Sequence, residues 1–243
     1  MTKFISIVIV TLIWELLTYL NFFDKTFFPP PFKILSNLDQ LIFYENFLTD
    51  ICHSMSRLFI ALVIALPIAL LLSLACAHKK FFDHIVNPIV AITFPLPKVA
   101  LFPLLLLIFG IDNYSKIALI SIGMFYLLFI NFRIGFLRII NSSYSDIVKI
   151  YPISNAQYFI SFLIRGAIQE LLTGLQIAVN YGLTLVVVSE ISVSNNGIGH
   201  FIWKSWDQFN IINVYSAVLS LGFIGFVFYN IFSLLIDKLR RTI

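Results

Sequence analysis

The stretch ITFPLPKVALFPLLLLIFGID, residues 92–112, decides how the rest of the chain is read. It sets three prolines, Pro95, Pro97 and Pro103, and a lysine, Lys98, inside an otherwise apolar run. Each proline removes a backbone donor and obstructs a regular element, so a soluble core strand would not hold this density. A plain lipid-facing helix would not hold Lys98. Prolines are tolerated at membrane depth where neighbouring helices or a water-filled cavity satisfy the freed backbone groups. The stretch therefore reads as a broken helix inside a membrane protein. Lys98 has two readings: it points into an interior pathway or snorkels to the interface, where a cation suits an anionic solute, or it sits at the bend and pairs with a carboxylate.

Composition agrees with a membrane setting. Of the 243 residues, 60% are hydrophobic and 12% charged, whereas a soluble domain carries about 25% charged residues. The net charge of +4 comes from scattered single charges at segment ends, not from a basic face with interleaved aromatics, which sets nucleic-acid binding aside. Cys52 and Cys76 flank one apolar segment; if it spans the membrane they cannot pair, and no disulfide framework follows. The N-terminal segment superficially looks like a signal peptide, but Glu15 lies inside it and bulky Tyr19, Leu20 and Asn21 stand where cleavage needs small residues. It reads as a retained anchor helix.

A helix needs about 20 residues to cross a hydrocarbon layer of roughly 30 Å. About six windows qualify, over residues 4–23, 57–77, 85–110, 117–138, 171–191 and 211–236, so the expected fold is all-α and polytopic. Residues 24–56 carry FFPPPFKIL and four carboxylates, Asp24, Asp39, Glu45 and Asp50, and read as a surface or interfacial segment. With both termini cytoplasmic, ten of the 16 lysines and arginines fall on the cytoplasmic side and five outside, with Lys98 in the membrane. The whole of 1–243 reads as one transmembrane domain: an anchor helix at 4–23, the segment 24–56, and core spans over 57–236.

Residues 139–170 form a long loop, cytoplasmic in this topology. Tyr144, Ile147, Val148 and Tyr151 recur at helical spacing with Asp146 and Lys149 between them, and Pro152 stops the turn. Such a short amphipathic helix either lies on the membrane surface or docks on a soluble partner.

The order of these features resembles the permease subunits of bacterial ATP-binding-cassette importers, of the nitrate, sulfonate and taurine type. FFPPPFKIL is similar to that family's Pro-rich segment after the first span. HSMSRLFIALVIALPIALLLSLA, with Ser54, Arg57 and Pro67, looks like its second span. PLPKVALFPLLLLIFGIDNYSKIALI matches through Pro95, Pro97, Ala100, Leu101, Pro103, Leu104, Phe109, Gly110, Ser115 and Lys116. VVVSEISVSNNGIGHFI resembles the end of its fifth span through Glu190, Gly197 and Gly199. The family's Glu-Ala-Ala, three residues, Gly loop is degenerate: Asp146, Ile147 and Val148 take the first three positions and Pro152 replaces the glycine, which trades a permitted positive φ for one fixed near −65°.

The resemblance implies the type I ABC importer permease fold and an alternating-access pathway with no bond chemistry of its own. It also implies two ATPase subunits holding ATP and Mg, a periplasmic solute-binding protein, a second permease chain and a bacterial inner-membrane location. Asp146, Ile147, Val148, Tyr151, Pro152 and Ser154 would couple to the ATPase. No GxxxxGK[ST] phosphate loop occurs, so the chain is not its own ATPase. No cofactor and no metal are expected on this chain.

Other polar residues in apolar runs are open between roles. Glu15 is a functional candidate or an interhelical partner. Asn180, Tyr181 and Thr184 share one face of the fifth span and either line the path or hold helices together beside Gly174, Ala178 and Gly182. Glu190 braces an external gate or caps a helix end. His200, Trp203 and Trp206 read as interface anchors or as contacts for a binding protein. The rival classes are an integral-membrane enzyme and a passive channel or scaffold. Against the enzyme, His53, His78, His84 and His200 are scattered, without HExxH or HxxxD spacing, and GxSxG is absent.

Overall fold

A computed structural model describes residues 2–44, 46–142 and 157–240. Every regular element among them is helical: α1 (Thr2–Tyr19), α2 (Pro31–Tyr44), α3 (Phe47–His78), α4 (Lys80–Thr93), a 3₁₀ turn (Lys98–Leu101), α5 (Phe102–Phe109), α6 (Asn113–Ile140), a π-helical stretch (Tyr158–Ile164), α7 (Ile168–Val193), α8 (Ile198–Asp207) and α9 (Ile211–Arg240). Four of them, α3, α6, α7 and α9, are long and apolar enough to cross a membrane. The pair formed by α4 and the 3₁₀–α5 segment is apolar enough to make a fifth but is bent by 95° at its break, the geometry of a broken span or of a re-entrant loop. This is a multi-pass membrane protein.

The spans differ from the sequence windows in two places. α1 is 18 residues long, inside the range of about 17–25 that a span takes, and stops at Tyr19, short of the window's end at 23. Asn21 ends it in the left-handed region at φ 57, a conformation asparagine tolerates. α3 starts ten residues earlier than the window at 57, because Phe47 and Ile51 belong to an apolar cluster that pulls the polar stretch 47–56 into the helix. Cys52 and Cys76 both lie on α3 as free thiols.

The chain forms two compact units. The first comprises the chain up to Met55 together with Glu190–Ile224. Its core joins Leu41, Phe47, Ile198, Phe201 and Ala217, with the Phe47 and Phe201 rings 4.8 Å apart. Polar side chains tie α2 to α9: Asn37 Nδ2 donates to Asn213 Oδ1 at 2.8 Å, and Ser216 Oγ donates to the Ile34 carbonyl at 3.1 Å. Such hydrogen bonds hold helices together where lipid supplies no hydrophobic drive between them. Glu15 of α1 accepts the Phe32 amide at 3.1 Å. Phe32 lies in the first turn of α2, whose free amides and positive dipole end favour a carboxylate.

The second unit comprises Ser56–Ser189 and the chain from Gly225 onward. α3 presents Ala61, Ala65 and Ala69, all fully or nearly fully buried, at four-residue spacing. A stripe of small residues lets a neighbouring backbone come close, and Ser121 Oγ of α6 reaches the Ala61 carbonyl at 3.3 Å. The core of α6 is aromatic and aliphatic, with Leu128, Phe129, Phe132 and Phe136 buried. Two charged pairs sit at one end of this unit: Arg133 holds both oxygens of Asp83 at 2.6 and 2.7 Å, and Arg138 bonds Glu170 at 3.0 Å and the Gly166 carbonyl at 2.9 Å.

Candidate functional site

The broken span is built by its prolines and held by its lysine. A helix continuing past Thr93 would place the amide of residue 97 on the Thr93 carbonyl, but Pro97 has none, and Pro95 likewise has none for the Ala91 carbonyl two residues earlier. Lys98 closes the gap. Its Nζ donates to the carbonyls of Thr93 at 2.7 Å, Phe94 at 3.0 Å and Leu96 at 3.0 Å. An ammonium has three donors, and all three find backbone acceptors here. The Nζ also lies 4.0 Å from the centre of the Tyr126 ring, within cation–π range. Tyr126 Oη donates to Thr93 Oγ1 at 2.9 Å, and Thr93 Oγ1 donates to the Ile89 carbonyl at 2.6 Å. Lys98 is thus buried, while Pro95 and Pro97 are exposed. Pro103 lies in the first turn of α5, where a missing amide costs nothing, and Gly110 ends that helix at φ 78.

A second polar centre lies in the other unit, around Glu190 at the end of α7. Its carboxylate is fully buried. Ser54 Oγ lies 2.8 Å from both carboxylate oxygens, and the Gly199 amide donates to Oε2 at 2.9 Å. Ser54 Oγ in turn accepts the Ile198 amide at 2.8 Å, and Asp50 Oδ1 accepts the Gly197 amide at 2.6 Å. Two carboxylates and one hydroxyl therefore bind successive amides at the start of α8. Gly197 sits at φ 108, and a Cβ there would run into the Glu190 carboxyl group. Only glycine fits, for both the backbone angle and the close approach. Arg57 donates from Nε to Asn113 Oδ1 at 2.9 Å, and Ser115 Oγ donates to the Asp112 carbonyl at 2.9 Å.

The third group lies on α7. Thr184 is exposed, Asn180 and Tyr181 are half-buried, and Ile177 is 43% exposed one turn before Asn180. These four share a face that is open at Ile177 and Thr184 and closed in part at Tyr181, whose ring packs beside Gly123 of α6. The structure does not bring them to Lys98: Lys98 is occupied by its own backbone. Asp146, Ile147, Val148, Tyr151, Pro152 and Ser154 lie outside the described residues. Among the described residues no three His, Cys, Asp or Glu side chains group closely enough to hold a metal ion.

Sequence reasoning missed the clasp formed by Lys98, although its signal was present: lysine directly after Pro-x-Pro places three donors beside carbonyls that prolines release. It also missed the helix α8 around His200, Trp203 and Trp206, although Ile198, Phe201 and Ser205 are buried at three- and four-residue spacing. The Arg133–Asp83 pair, 50 residues apart, has no local signal.

Residues 48–243 match the family model described as the binding-protein-dependent transport system inner membrane component. The chain belongs to that family. Both polar centres of this permease, its bent α4–α5 segment and residues 177–184 of α7 fall within the matched stretch. It is 24% identical over 230 residues to the nitrate import permease protein NrtB of Synechocystis sp., covering 91% of this chain and 82% of that one. It is 23% identical over 227 residues to the taurine transport system permease protein TauC of Escherichia coli, with the same two shares, 91% and 82%. It is 25% identical over 198 residues to the bicarbonate transport system permease protein CmpB of Synechococcus elongatus, covering 80% and 68%. The chain is an importer permease, a transport subunit.

Proposed function

We propose that this permease forms the membrane pathway of an ATP-driven importer for a small solute bearing an oxyanion, nitrate-, sulfonate- or taurine-like. A solute-binding protein delivers the solute from outside, and two separate ATPase subunits beneath the membrane, holding ATP and Mg, supply the energy. A second permease chain, identical or closely related, completes the pathway, and both termini face the cytoplasm. The chain works as one permease domain with its anchor helix at the N-terminus. The match to the transport family over residues 48–243 carries this reading. The solute class is supported by the names of three relatives, whose cargoes all carry an oxyanion.

Asn180, Tyr181 and Thr184 line the path, supported by the exposure of Thr184 on an open face of α7. Pro95, Pro97 and Pro103 set the bend, and Lys98 acts on the path indirectly by fixing that bend. Glu190 braces the outer gate through the amides at the start of α8. The segment around Asp146, Ile147, Val148, Tyr151, Pro152 and Ser154 docks in a groove of the ATPase, so ATP-driven closure of the ATPase pair tilts the attached spans.

The test is affinity purification of the tagged chain from mild detergent, comparing wild type with Asp146→Lys and identifying the co-purifying chains. An ATPase subunit retained by wild type and lost or reduced in the variant is the expected result. No ATPase under conditions that preserve other membrane complexes overturns the assignment of the coupling segment.

A further inference from the structure

We infer that the turn between α3 and α4 is a binding site for an anionic phospholipid. A groove of about 320 Å³ opens there, at the lower end of the ~300–1,000 Å³ typical of ligand pockets. Its walls are apolar: Leu71, Leu74 and Ala75 from the last turns of α3, Phe82 from α4, and Phe159 and Leu163 from the π-helical stretch before α7. Its mouth is different. His78 and Lys79 line the rim, with Tyr158 edge-on to His78 at 5.9 Å, and Lys80 follows at once. Both lysines are exposed, and neither has an ion-pair partner among the described residues. The nearby carboxylate of Asp83 is already engaged by Arg133 at 2.6 Å, so it does not cancel them.

The position fixes the ligand class. The apolar run of α3 stops at His78, so the turn lies where hydrocarbon gives way to headgroups. An apolar slot with Lys79 on its rim and Lys80 next in the chain at that depth suits an amphiphile with a chain to bury and a phosphate to meet the cations. A soluble phosphate would leave the slot empty, and a neutral lipid would leave the lysines unanswered. The site rests on this groove and its rim and not on the transport reading.

Native mass spectrometry of the full-length chain in mild detergent tests it, titrating phosphatidylglycerol against phosphatidylcholine of the same acyl chains, with glycerophosphoglycerol as the chainless control. The tightest phosphatidylglycerol should bind more firmly than phosphatidylcholine by on the order of tenfold. That preference should vanish in Lys79→Gln/Lys80→Gln and survive in Lys79→Arg/Lys80→Arg. Ala75→Phe, which fills the slot, should weaken both lipids, and the chainless headgroup should not bind. Equal binding of the two lipids to wild type, or a preference that persists in the glutamine variant, overturns the inference. So does loss of a second protein chain, in place of lipid, from the glutamine variant.

Discussion

Lys98 Nζ stands 4.0 Å from the centre of the Tyr126 ring while its three donors cap the carbonyls of Thr93, Phe94 and Leu96. The most polar side chain of the apolar stretch is thereby spent on its own backbone. Backbone carbonyls at a helix break need donors at membrane depth, and Lys98 supplies three of them, beside the Leu96 amide that also reaches the Thr93 carbonyl. The lysine and the prolines form one device: the prolines make the 95° bend possible, and the lysine makes it tolerable.

Replacing Lys98 with methionine keeps the side-chain length and removes every donor. Hydrogen bonds from a charged group contribute roughly 1.5–3 kcal/mol, and orphaned buried acceptors add to the loss. Lys98→Met should therefore lower the apparent Tm of the detergent-purified protein by several degrees, read by intrinsic tryptophan fluorescence. Tyr126→Phe removes only the Thr93 contact and should cost less. Equal melting of Lys98→Met and wild type would show that the clasp does not hold the bend.

Gly197 and Glu190 give a second test. A side chain at φ 108 costs about 1–3 kcal/mol from backbone strain alone. Gly197→Ala also drives a Cβ into the Glu190 carboxyl group. The variant should be markedly less stable, and shortening the partner in Gly197→Ala/Glu190→Ala should remove the clash but not the strain. The coupling energy from this double-mutant cycle should thus be nonzero. Strictly additive effects would separate the two residues.

The Arg133–Asp83 pair depends on a two-pronged geometry, with side chains only 19% and 26% exposed. Lysine cannot reproduce a planar fork. Arg133→Lys should destabilise the purified protein by roughly 1 kcal/mol, although the charge is kept, and Asp83→Arg/Arg133→Asp should recover part of what either single reversal loses. A lysine variant that melts with wild type would reduce the pair to a plain charge contact.

Much of this architecture was legible in the residues. Three prolines and a lysine in an apolar run pointed to a break in the helix, and the structure has a 95° break there. The long apolar windows gave α6, α7 and α9 closely, because a membrane helix satisfies its own backbone and needs no distant partner to form. What escaped were features set by remote contacts. α3 reaches back to Phe47 because Phe201, far along the chain, packs on it. Ser54, singled out only as part of the second-span resemblance, and Asp50, one carboxylate of the segment 24–56, show no common partner until the fold brings them to the amides of Ile198 and Gly197. Lys98 was legible as an anomaly but not as a cap, because the acceptors are backbone carbonyls that sequence patterns do not display.

The most direct test of the transport account is uptake by proteoliposomes that hold the permease with its co-purified partners. Nitrate, taurine and bicarbonate are offered in turn, with and without ATP on the ATPase side and with and without the solute-binding protein. The account predicts accumulation of one of these solutes against its gradient that requires both ATP and the binding protein and is reduced in Thr184→Leu. Flux that runs down the gradient at the same rate without ATP would contradict it and make the chain a passive channel.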